Sequence, residues 1–378
     1  MGYRLRDIDK LLVKYHGRLV GTLMMSPDSE SAVFQYADEW LATGFSISPI
    51  ELPLQNKLFI APRAPFYGNF GIFEDSLPDG YGRYLIKRLL REQGIDDFAL
   101  SPLQRLAIVG SAGMGALCYE PAYRPTAETL LPELDALQQM ALDVLSEKTT
   151  QGVDVLYFNS GNSGGCRPKC LLQQDGKEWL VKFRHTYDPK DIGAQEYHYM
   201  QLAEQCGIEI PECRLIDGKY FASQLFDRTD SGERLHVATA AALLCENINP
   251  PKTDYKTLLN LTGWLTQSPQ QVEQMFRRMV FNVLIQNKDD HAKNFSFIWQ
   301  NNQWHLAPAY DLLPDLEGYH GQHATSVMGN GNPAEADMVA AGETIRISAR
   351  RGRQIIEEIK QLVKNKLPYH LKRHQNAL

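Results

Sequence analysis

The spacing of apolar residues changes along the chain and predicts a strand-rich first half followed by a helical second half. Two short apolar segments, Leu11–Tyr15 and Arg18–Met25, are close enough in sequence to predict a β-hairpin. Tyr81–Gln93 carries its apolar residues at helical spacing. A second hairpin is predicted from Lys169–Gln173 and Trp179–Phe183, because both are rich in apolar residues and a glycine-containing turn separates them.

The pattern beyond residue 237 favours helices. The predicted helices are Ala238–Cys245, Tyr255–Leu265, Pro269–Asn287 and Gly352–Lys366. A strand-rich half followed by a helical half predicts an α+β protein with two lobes and a cleft between them. Two prolines in residues 120–126 predict a linker, so we divide the chain into domains at residues 1–125, 126–236 and 237–378.

Composition and charge limit the classes of protein to consider. The chain has 378 residues, of which 43% are hydrophobic and 22% charged, so it can bury a large core. The net charge of −6 argues against a dedicated nucleic-acid binder, which needs a basic surface. No apolar run has the length of a membrane span or a secretory signal, and six scattered cysteines indicate reduced thiols. We therefore expect a cytoplasmic protein without a membrane contact.

A cluster of polar residues at 287–296 carries the strongest chemical signal. Asp289 and Asn294 are five positions apart, the spacing of the catalytic base and the metal-binding asparagine in protein kinases. Asp311 follows a predicted hairpin and would supply the second metal ligand for Mg²⁺. Asp290 is a rival for the base by proximity, but the spacing favours Asp289. A solvated loop that caps helices remains the alternative for this pattern alone.

The full signature is more specific. Asp289-x-His291-Ala292-Lys293-Asn294-x-Ser296, followed by Tyr310-Asp311, resembles the catalytic signature of the HipA family of serine/threonine kinases, which act as toxins in bacterial toxin–antitoxin pairs. Residues 17–23, 73–80 and 109–117 resemble the N-terminal region of that family, and residues 161–169 and 222–228 resemble its nucleotide loop and its inter-lobe segment. The resemblance implies a kinase-like fold with an additional N-terminal subdomain.

The resemblance and general kinase chemistry together predict the ATP-binding residues. Glycines in a loop let backbone N–H groups approach phosphate oxygens, and a lysine on a neighbouring strand contacts the α- and β-phosphates. Lys182 is that strand lysine, with Glu196 as its predicted ion-pair partner. The predicted ATP-binding set is Gly164, Gly165, Cys166, Arg167, Pro168, Lys169, Lys182, Gln224, Leu225, Phe226, His291, Lys293 and Tyr310. His291 could instead orient Asp289.

Two positions depart from the family pattern. Asn162 occupies the position at which toxin-type members phosphorylate a serine of their own nucleotide loop, so we name Ser163 and Ser160 as the candidates for self-phosphorylation. Gln224 replaces the usual acidic residue of the inter-lobe segment, but its amide can still accept a hydrogen bond.

The sequence therefore predicts an ATP- and Mg²⁺-dependent serine/threonine kinase. The resemblance implies a translation-related protein substrate, such as an aminoacyl-tRNA synthetase, and a helix-turn-helix antitoxin resembling HipB, through which any contact with DNA would be made. Two alternatives stay open at this point: a small-molecule or lipid kinase, because the same groups serve any hydroxyl acceptor, and a non-catalytic scaffold that binds nucleotide or an antitoxin.

Overall fold

The computed structural model describes residues 8–28, 30–123, 132–160 and 165–366. The chain divides into two compact units. The first unit comprises Met1–Gly193, Leu215–Ala238 and Ala242–Cys245, and the second comprises Ala194–Arg214, Thr239–Ala241 and Glu246–Leu378. The predicted domain boundary after residue 125 lies outside the described residues, and the boundary after residue 236 stays a prediction.

The N-terminal part of the first unit is built on an antiparallel sheet with helices. Its elements are β1 (Lys10–Tyr15), β2 (Arg18–Met25), β3 (Ala32–Tyr36), α1 (Asp38–Thr43), β4 (Phe59–Ile60), α2 (Gly71–Glu74), α3 (Gly80–Glu92), α4 (Pro102–Val109) and β5 (Leu117–Glu120). The strand order is β4-β3-β2-β1-β5. Gly21 of β2 has no room for a side chain, because a Cβ there would lie 2.3 Å from the Gln35 carbonyl oxygen of β3.

The first unit continues with a second sheet. Its elements, together with those that lead out of the unit and back, are α5 (Leu134–Leu145), α6 (Val153–Ser160), β6 (Lys169–Gln174), β7 (Lys177–Lys182), α7 (Ile192–Gln205), β8 (Cys213–Ile216) and β9 (Tyr220–Gln224). The strand order is β6-β7-β9-β8. Asp175 and Gly176 turn between β6 and β7 with φ angles of 54° and 75°, the left-handed conformation that a tight hairpin turn requires.

The C-terminal part of the chain is mainly helical. Its elements are β10 (His236–Thr239), α8 (Ala240–Leu243), α9 (Tyr255–Thr266), α10 (Pro269–Ile285), β11 (Ser296–Gln300), β12 (Gln303–Leu306), α11 (Glu335–Thr344) and α12 (Ala349–Lys366). Helix α10 begins with Pro269 after Ser268, whose side chain accepts a hydrogen bond from the Gln271 N–H. It packs against α9, α11 and α12 and so forms the centre of the second unit. None of the described helices is both long and apolar enough to cross a membrane.

Most predicted elements are confirmed, including the three hairpins and the helices at α3, α9, α10 and α12. One prediction is wrong. The predicted helix Ala238–Cys245 is only the short α8, preceded by β10, because residues 236–239 are extended. Helix α6 has no counterpart among the predicted elements, because its eight residues are apolar on several sides and contain the β-branched Val153 and Val155.

Candidate active site

The segment that carries the predicted catalytic residues follows directly from helix α10 in the second unit. The helix ends at Ile285, and the φ of 60° at the next residue, Gln286, turns the chain out of the helix. Backbone hydrogen bonds then fix Lys288 on both sides: its N–H donates to the Asp315 carbonyl at 3.1 Å, and its own carbonyl accepts from the Ala324 N–H at 3.0 Å. The start of the segment is therefore fixed by backbone hydrogen bonds to residues 315 and 324 and is not a free loop.

Asp289 is the accessible acid of this segment. Its side chain is 63% exposed, and Oδ1 lies 3.9 Å from Nε2 of His291. Desolvation by the surrounding protein raises its pKa above the ordinary range, and the neighbouring carboxylates Asp315 and Asp311 add to the rise, whereas His291 opposes it. Water screens these charges at an exposed carboxylate, but the direction favours a group that accepts a proton more readily than an ordinary aspartate.

Asn294 and Asp289 form a closed turn. The Nδ2 of Asn294 donates to the backbone carbonyl of Asp289 at 2.8 Å, and the Asn294 N–H donates to the His291 carbonyl at 2.8 Å. A short 3-10 helix, Ala292–Asn294, produces this geometry. The amide nitrogen is committed to the turn, so the Asn294 amide oxygen is the side-chain atom that would bind a hard cation.

Asp311 is held through its backbone. Its φ is 53°, in the left-handed region that aspartate tolerates better than most residues. The Nδ2 of Asn287 donates to the Asp311 carbonyl at 3.1 Å and to Oδ1 of Asn282 at 3.0 Å. Asn287 is buried, so these contacts are protected from water. The backbone conformation that aims the Asp311 carboxylate is thus fixed by an amide at the end of helix α10.

Tyr310 fixes the same region through its hydroxyl group. The hydroxyl donates to the Lys293 carbonyl at 2.7 Å and lies 2.6 Å from the Ser296 hydroxyl. These contacts join the residue before Asp311 to residues 293 and 296. Tyr310 therefore stabilises the segment that carries Asp289, and its ATP contact stays a prediction.

Asp290 lies in a different environment from Asp289. It is completely buried, and its carboxylate accepts hydrogen bonds from the Tyr255 hydroxyl at 2.8 Å and the Thr325 N–H at 3.1 Å. Its Oδ2 is also 3.0 Å from Nδ1 of His323, and its backbone carbonyl accepts from the Thr325 hydroxyl. A carboxylate with these partners has no access to a substrate, so it serves as an internal anchor for the segment.

Asn294 and Asp311, the predicted magnesium ligands, carry oxygen atoms of the kind that Mg²⁺ prefers, and the magnesium site stays a prediction. Within the described ranges, no group of three or more His, Cys, Asp and Glu side chains could hold a metal ion. Asn294 and Asp311 would instead offer one amide oxygen and one carboxylate and leave the other positions to phosphate oxygens and water. Mg²⁺ commonly binds in this way, with few protein ligands.

The predicted nucleotide loop lies in the first unit. Gly164 and Ser163 lie outside the described residues. Of the others, Cys166 is exposed, and the Pro168 carbonyl accepts from the Phe183 N–H at 2.8 Å. Lys169 is buried at the start of β6, with Nζ 3.4 Å from the Gly165 carbonyl. The backbone of the described part of the loop is therefore hydrogen-bonded to Phe183, the residue after β7, and to Lys169.

Arg167 and Ser160 have contacts that the sequence did not suggest. Arg167 makes a bidentate ion pair with Asp188, with distances of 2.9 and 3.0 Å, so its guanidinium stabilises the loop that follows β7. Ser160 is buried at the end of α6, and its hydroxyl donates to the Tyr157 carbonyl at 3.0 Å. A phosphate could reach that hydroxyl only after α6 had frayed.

Lys182 occupies the last position of β7, opposite Lys169 of β6. Its Nζ lies 5.7 Å from the centre of the Phe221 ring. A cavity of about 190 Å³ opens beside it, and its lining is rich in positive charge. The lining residues are Gln138, Lys182, Arg184, Lys190, Ile192, Gly193 and Lys219. Positive charge in a cavity favours anions, and the predicted contact of Lys182 with phosphate stays a prediction.

The predicted adenine-binding segment begins at Gln224, the last residue of β9. Gln224 pairs with Trp179 across the sheet, and the Leu225 N–H donates to the Glu178 carbonyl at 2.9 Å. Gln224, Leu225 and Phe226 are all partly accessible. Glu196, the predicted partner of Lys182, is buried in α7, and that pairing stays a prediction.

The structure brings together the predicted residues of the catalytic segment, namely Asp289, His291, Lys293, Asn294, Tyr310 and Asp311, all in the second unit. The loop residues, Lys182 and Gln224–Phe226 belong to the first unit. Sequence reasoning missed Asn287, Tyr255 and His323 as supports. Tyr255 and His323 gave no signal, because they are 35 and 33 positions from Asp290.

Comparison with known proteins supports the resemblance. Residues 11–120 match the HipA N-terminal domain, and residues 161–367 match the HipA-like C-terminal domain. The serine/threonine-protein kinase toxin HipA of Shewanella oneidensis is 23% identical over 332 residues, which cover 78% of this chain and 72% of that protein. A Sinorhizobium fredii protein named as a kinase is 28% identical over 170 residues, but the match spans only 41% of its length and 40% of this chain.

The fold is also shared with a solved structure. A chain in the complex of HipA, HipB and operator DNA from a Shewanella oneidensis toxin–antitoxin system superposes with a TM-score of 0.68 at 17% identity. The match covers 97% of this chain and 95% of that chain. This confirms the predicted α+β, kinase-like fold. Since the C-terminal family domain alone matches more than half of the 378 residues, this chain belongs to the HipA family.

Proposed function

We propose that this chain is an ATP- and Mg²⁺-dependent serine/threonine protein kinase with Asp289 as its catalytic base. One observation carries the proposal: Asp289 is exposed, whereas the adjacent Asp290 is buried and saturated with hydrogen bonds. Two neighbouring carboxylates thus have separate roles, one directed to solvent and one holding the segment in place. The names of the relatives agree with kinase activity at the level of the family.

In the proposed reaction, Asp289 accepts the proton of a substrate hydroxyl, and the oxygen of that hydroxyl forms a bond to the γ-phosphorus of ATP. The bond between that phosphorus and the β,γ-bridging oxygen breaks, and ADP leaves. The raised pKa of Asp289 makes the carboxylate a better proton acceptor. Asn294 and Asp311 would hold Mg²⁺, which neutralises charge on the phosphates. His291, 3.9 Å from Asp289, orients the base.

ATP is proposed to bind through the residues of the first unit and the catalytic segment. The basic cavity beside Lys182 supports a phosphate-binding role for that lysine. Cys166 would contribute its backbone N–H and Lys169 its charge, whereas Pro168, whose carbonyl is paired with the Phe183 N–H, would shape the loop. Gln224–Phe226 would contact the adenine, and Lys293 would contact the phosphates. Arg167 would act on the nucleotide through the loop, since its guanidinium pairs with Asp188.

The partners are proposed from the relatives. A chain of similar fold was solved with HipB and operator DNA, and a relative is named as a toxin. We infer a HipB-like helix-turn-helix antitoxin as the partner of this chain, with DNA bound through that antitoxin because the chain itself carries a net charge of −6. A translation-related protein, such as an aminoacyl-tRNA synthetase, is the proposed substrate class. Self-phosphorylation is proposed at Ser163 rather than at the buried Ser160.

One experiment tests the function directly. Purified wild type and Asp289→Asn are incubated with γ-labelled ATP, Mg²⁺ and a cell extract, and Glu335→Gln, an exposed change in α11, is the matched control. We expect labelled protein with wild type and the control, and a loss of about 100-fold or more with Asp289→Asn. Label transferred only to small molecules would indicate a metabolite kinase, and no transfer by wild type would indicate a scaffold.

A further inference from the structure

The start of helix α3 contacts the nucleotide loop in an unusual way. Asp79 occupies the position before the first residue of the helix, where an aspartate normally accepts a hydrogen bond from the first turn of its own helix. Its side chain makes no such bond. Instead, Oδ1 of Asp79 accepts the N–H of Gly165 at 2.7 Å, 86 residues further along the chain.

The contact is reciprocal. The Tyr81 N–H, in the first turn of α3, donates to the Gly165 carbonyl at 3.1 Å. Both backbone groups of Gly165 are therefore bound by the start of α3, and one of the N–H groups that a helix leaves unpaired at its N-terminus is satisfied by the loop. The two segments complete each other's hydrogen bonding.

Gly80 permits this close approach. A Cβ at residue 80 would lie 2.5 Å from the Gly165 carbonyl oxygen and 2.9 Å from Cα of Cys166, closer than such atoms can be. The φ of Gly80 is 44°, a conformation that glycine adopts without strain. Any other residue at this position would push the helix and the loop apart.

Helix α3 also packs against α6, which ends at Ser160. The predicted nucleotide loop, residues 161–169, follows α6, and Gly165 is the first residue of this loop that the structure describes. One helix of the N-terminal region thus contacts the element before residues 161–164 and the residue after them.

We propose that Asp79 is a positioning residue that holds the described part of the nucleotide loop, from Gly165 onwards, by binding the Gly165 N–H, and so controls the affinity for ATP. The proposal rests on the proposed function, because it assigns ATP to this loop. It gives the N-terminal region a role in nucleotide binding, which the sequence had not suggested for residues 73–80.

The test combines a structural and a functional readout in the full-length protein. Hydrogen exchange at the Gly165 amide reports the contact itself, and titration with ATP and Mg²⁺ reports its consequence. Asp79→Ala and Gly80→Ala are expected to speed exchange and to raise the Kd for ATP about tenfold, while Asp79→Asn, which keeps an oxygen acceptor, has a smaller effect.

Two variants serve as matched controls. Asp96→Ala removes an aspartate whose side chain accepts a local backbone N–H, from Phe98 at 3.1 Å. Gly94→Ala places a Cβ on a glycine with a φ of 71° and no atom within 4 Å of that Cβ, so it tests the backbone strain without the close approach. Both controls should leave the Kd for ATP within about twofold of wild type.

The outcomes separate the two proposals. Unchanged exchange at Gly165 in Asp79→Ala would show that the contact does not hold the loop. Faster exchange with an unchanged Kd for ATP would overturn the positioning role and leave the kinase proposal standing. If wild type binds no ATP while Asp79 still protects the Gly165 amide, the proposed function fails and the contact is purely structural.

Discussion

The catalytic segment and the nucleotide loop are held in place by different means. Buried side chains hold the segment around Asp289: Asp290, Tyr255 and Asn287 make hydrogen bonds that solvent cannot reach. Around Gly165, backbone groups meet a half-buried aspartate and a close glycine contact. A buried polar network has one low-energy arrangement, because breaking it leaves buried polar groups without hydrogen-bond partners. A backbone contact near the surface can open at a lower cost in free energy, since water replaces the lost partner.

The difference suggests that the two regions have separate roles, phosphoryl transfer and nucleotide binding. The segment that would carry out phosphoryl transfer is held rigidly, in agreement with the need to hold reacting groups in place. At Gly165, the loop that would bind nucleotide is held by hydrogen bonds to its backbone from the start of α3. Four variants test this contrast, from the largest expected effect to the smallest.

Asp290→Ala should have the largest effect on stability. Removing the carboxylate leaves the Tyr255 hydroxyl, the Thr325 N–H and His323 without their acceptor, at a cost of about 3–5 kcal/mol. Urea unfolding measures the free energy. The exposed Glu335→Ala should cost less than about 1 kcal/mol, and an equal loss in both variants would contradict the anchoring role of Asp290.

Arg167→Ala should destabilise the loop region by about 2 kcal/mol, because the nearly buried Asp188 would lose a bidentate partner. Arg167 holds its side of the nucleotide loop through a side chain and not through the backbone. A large loss of stability in this variant would therefore weaken the contrast between the loop and the segment around Asp289. Thermal unfolding without ATP is the measurement. If stability is unchanged and only ATP binding weakens, Arg167 contacts the nucleotide rather than the protein.

Asn287→Ala should lower the rate of phosphoryl transfer about tenfold, since the Asp311 carbonyl loses its amide donor and the carboxylate loses its fixed direction. Single-turnover kinetics at saturating ATP measure this rate. Asn260→Ala, which removes a comparable amide on the exposed side of α9, should leave the rate unchanged. Equal effects of the two variants would contradict the proposed support of Asp311.

Asp289→Asn should give a small increase in melting temperature at neutral pH. The raised pKa means that ionised Asp289 is less favourable in the folded state than in the unfolded state, so removing the charge stabilises the fold. The increase in melting temperature is present above the pKa of Asp289 in the folded state and disappears as the pH falls below its pKa in the unfolded state. Calorimetry from pH 3 to pH 8, bracketing an ordinary pKa of about 3.9, tests it, and a decrease at pH 8 would refute it.

The sequence predicted what depends on neighbours in the chain. The hairpin of β1 and β2 and the course of α10 follow from local spacing, and the interval between Asp289 and Asn294 is short enough to close the turn that the structure shows. The support of this turn could not be predicted in the same way. His323 meets Asp290, and Asp79 meets Gly165, only because the fold brings distant segments together.

The separate roles of Asp289 in phosphoryl transfer and of Asp79 in nucleotide binding are tested most directly by two measurements on the same preparations. These are the Kd for ATP and the single-turnover rate of phosphoryl transfer. Wild type, Asp289→Asn and Asp79→Ala are compared. The proposed roles predict that Asp289→Asn lowers the rate by about 100-fold or more with a Kd within about threefold of wild type. They predict the reverse for Asp79→Ala, a Kd about tenfold higher with a nearly unchanged rate at saturating ATP. A normal rate in Asp289→Asn would contradict the central claim that Asp289 is the catalytic base.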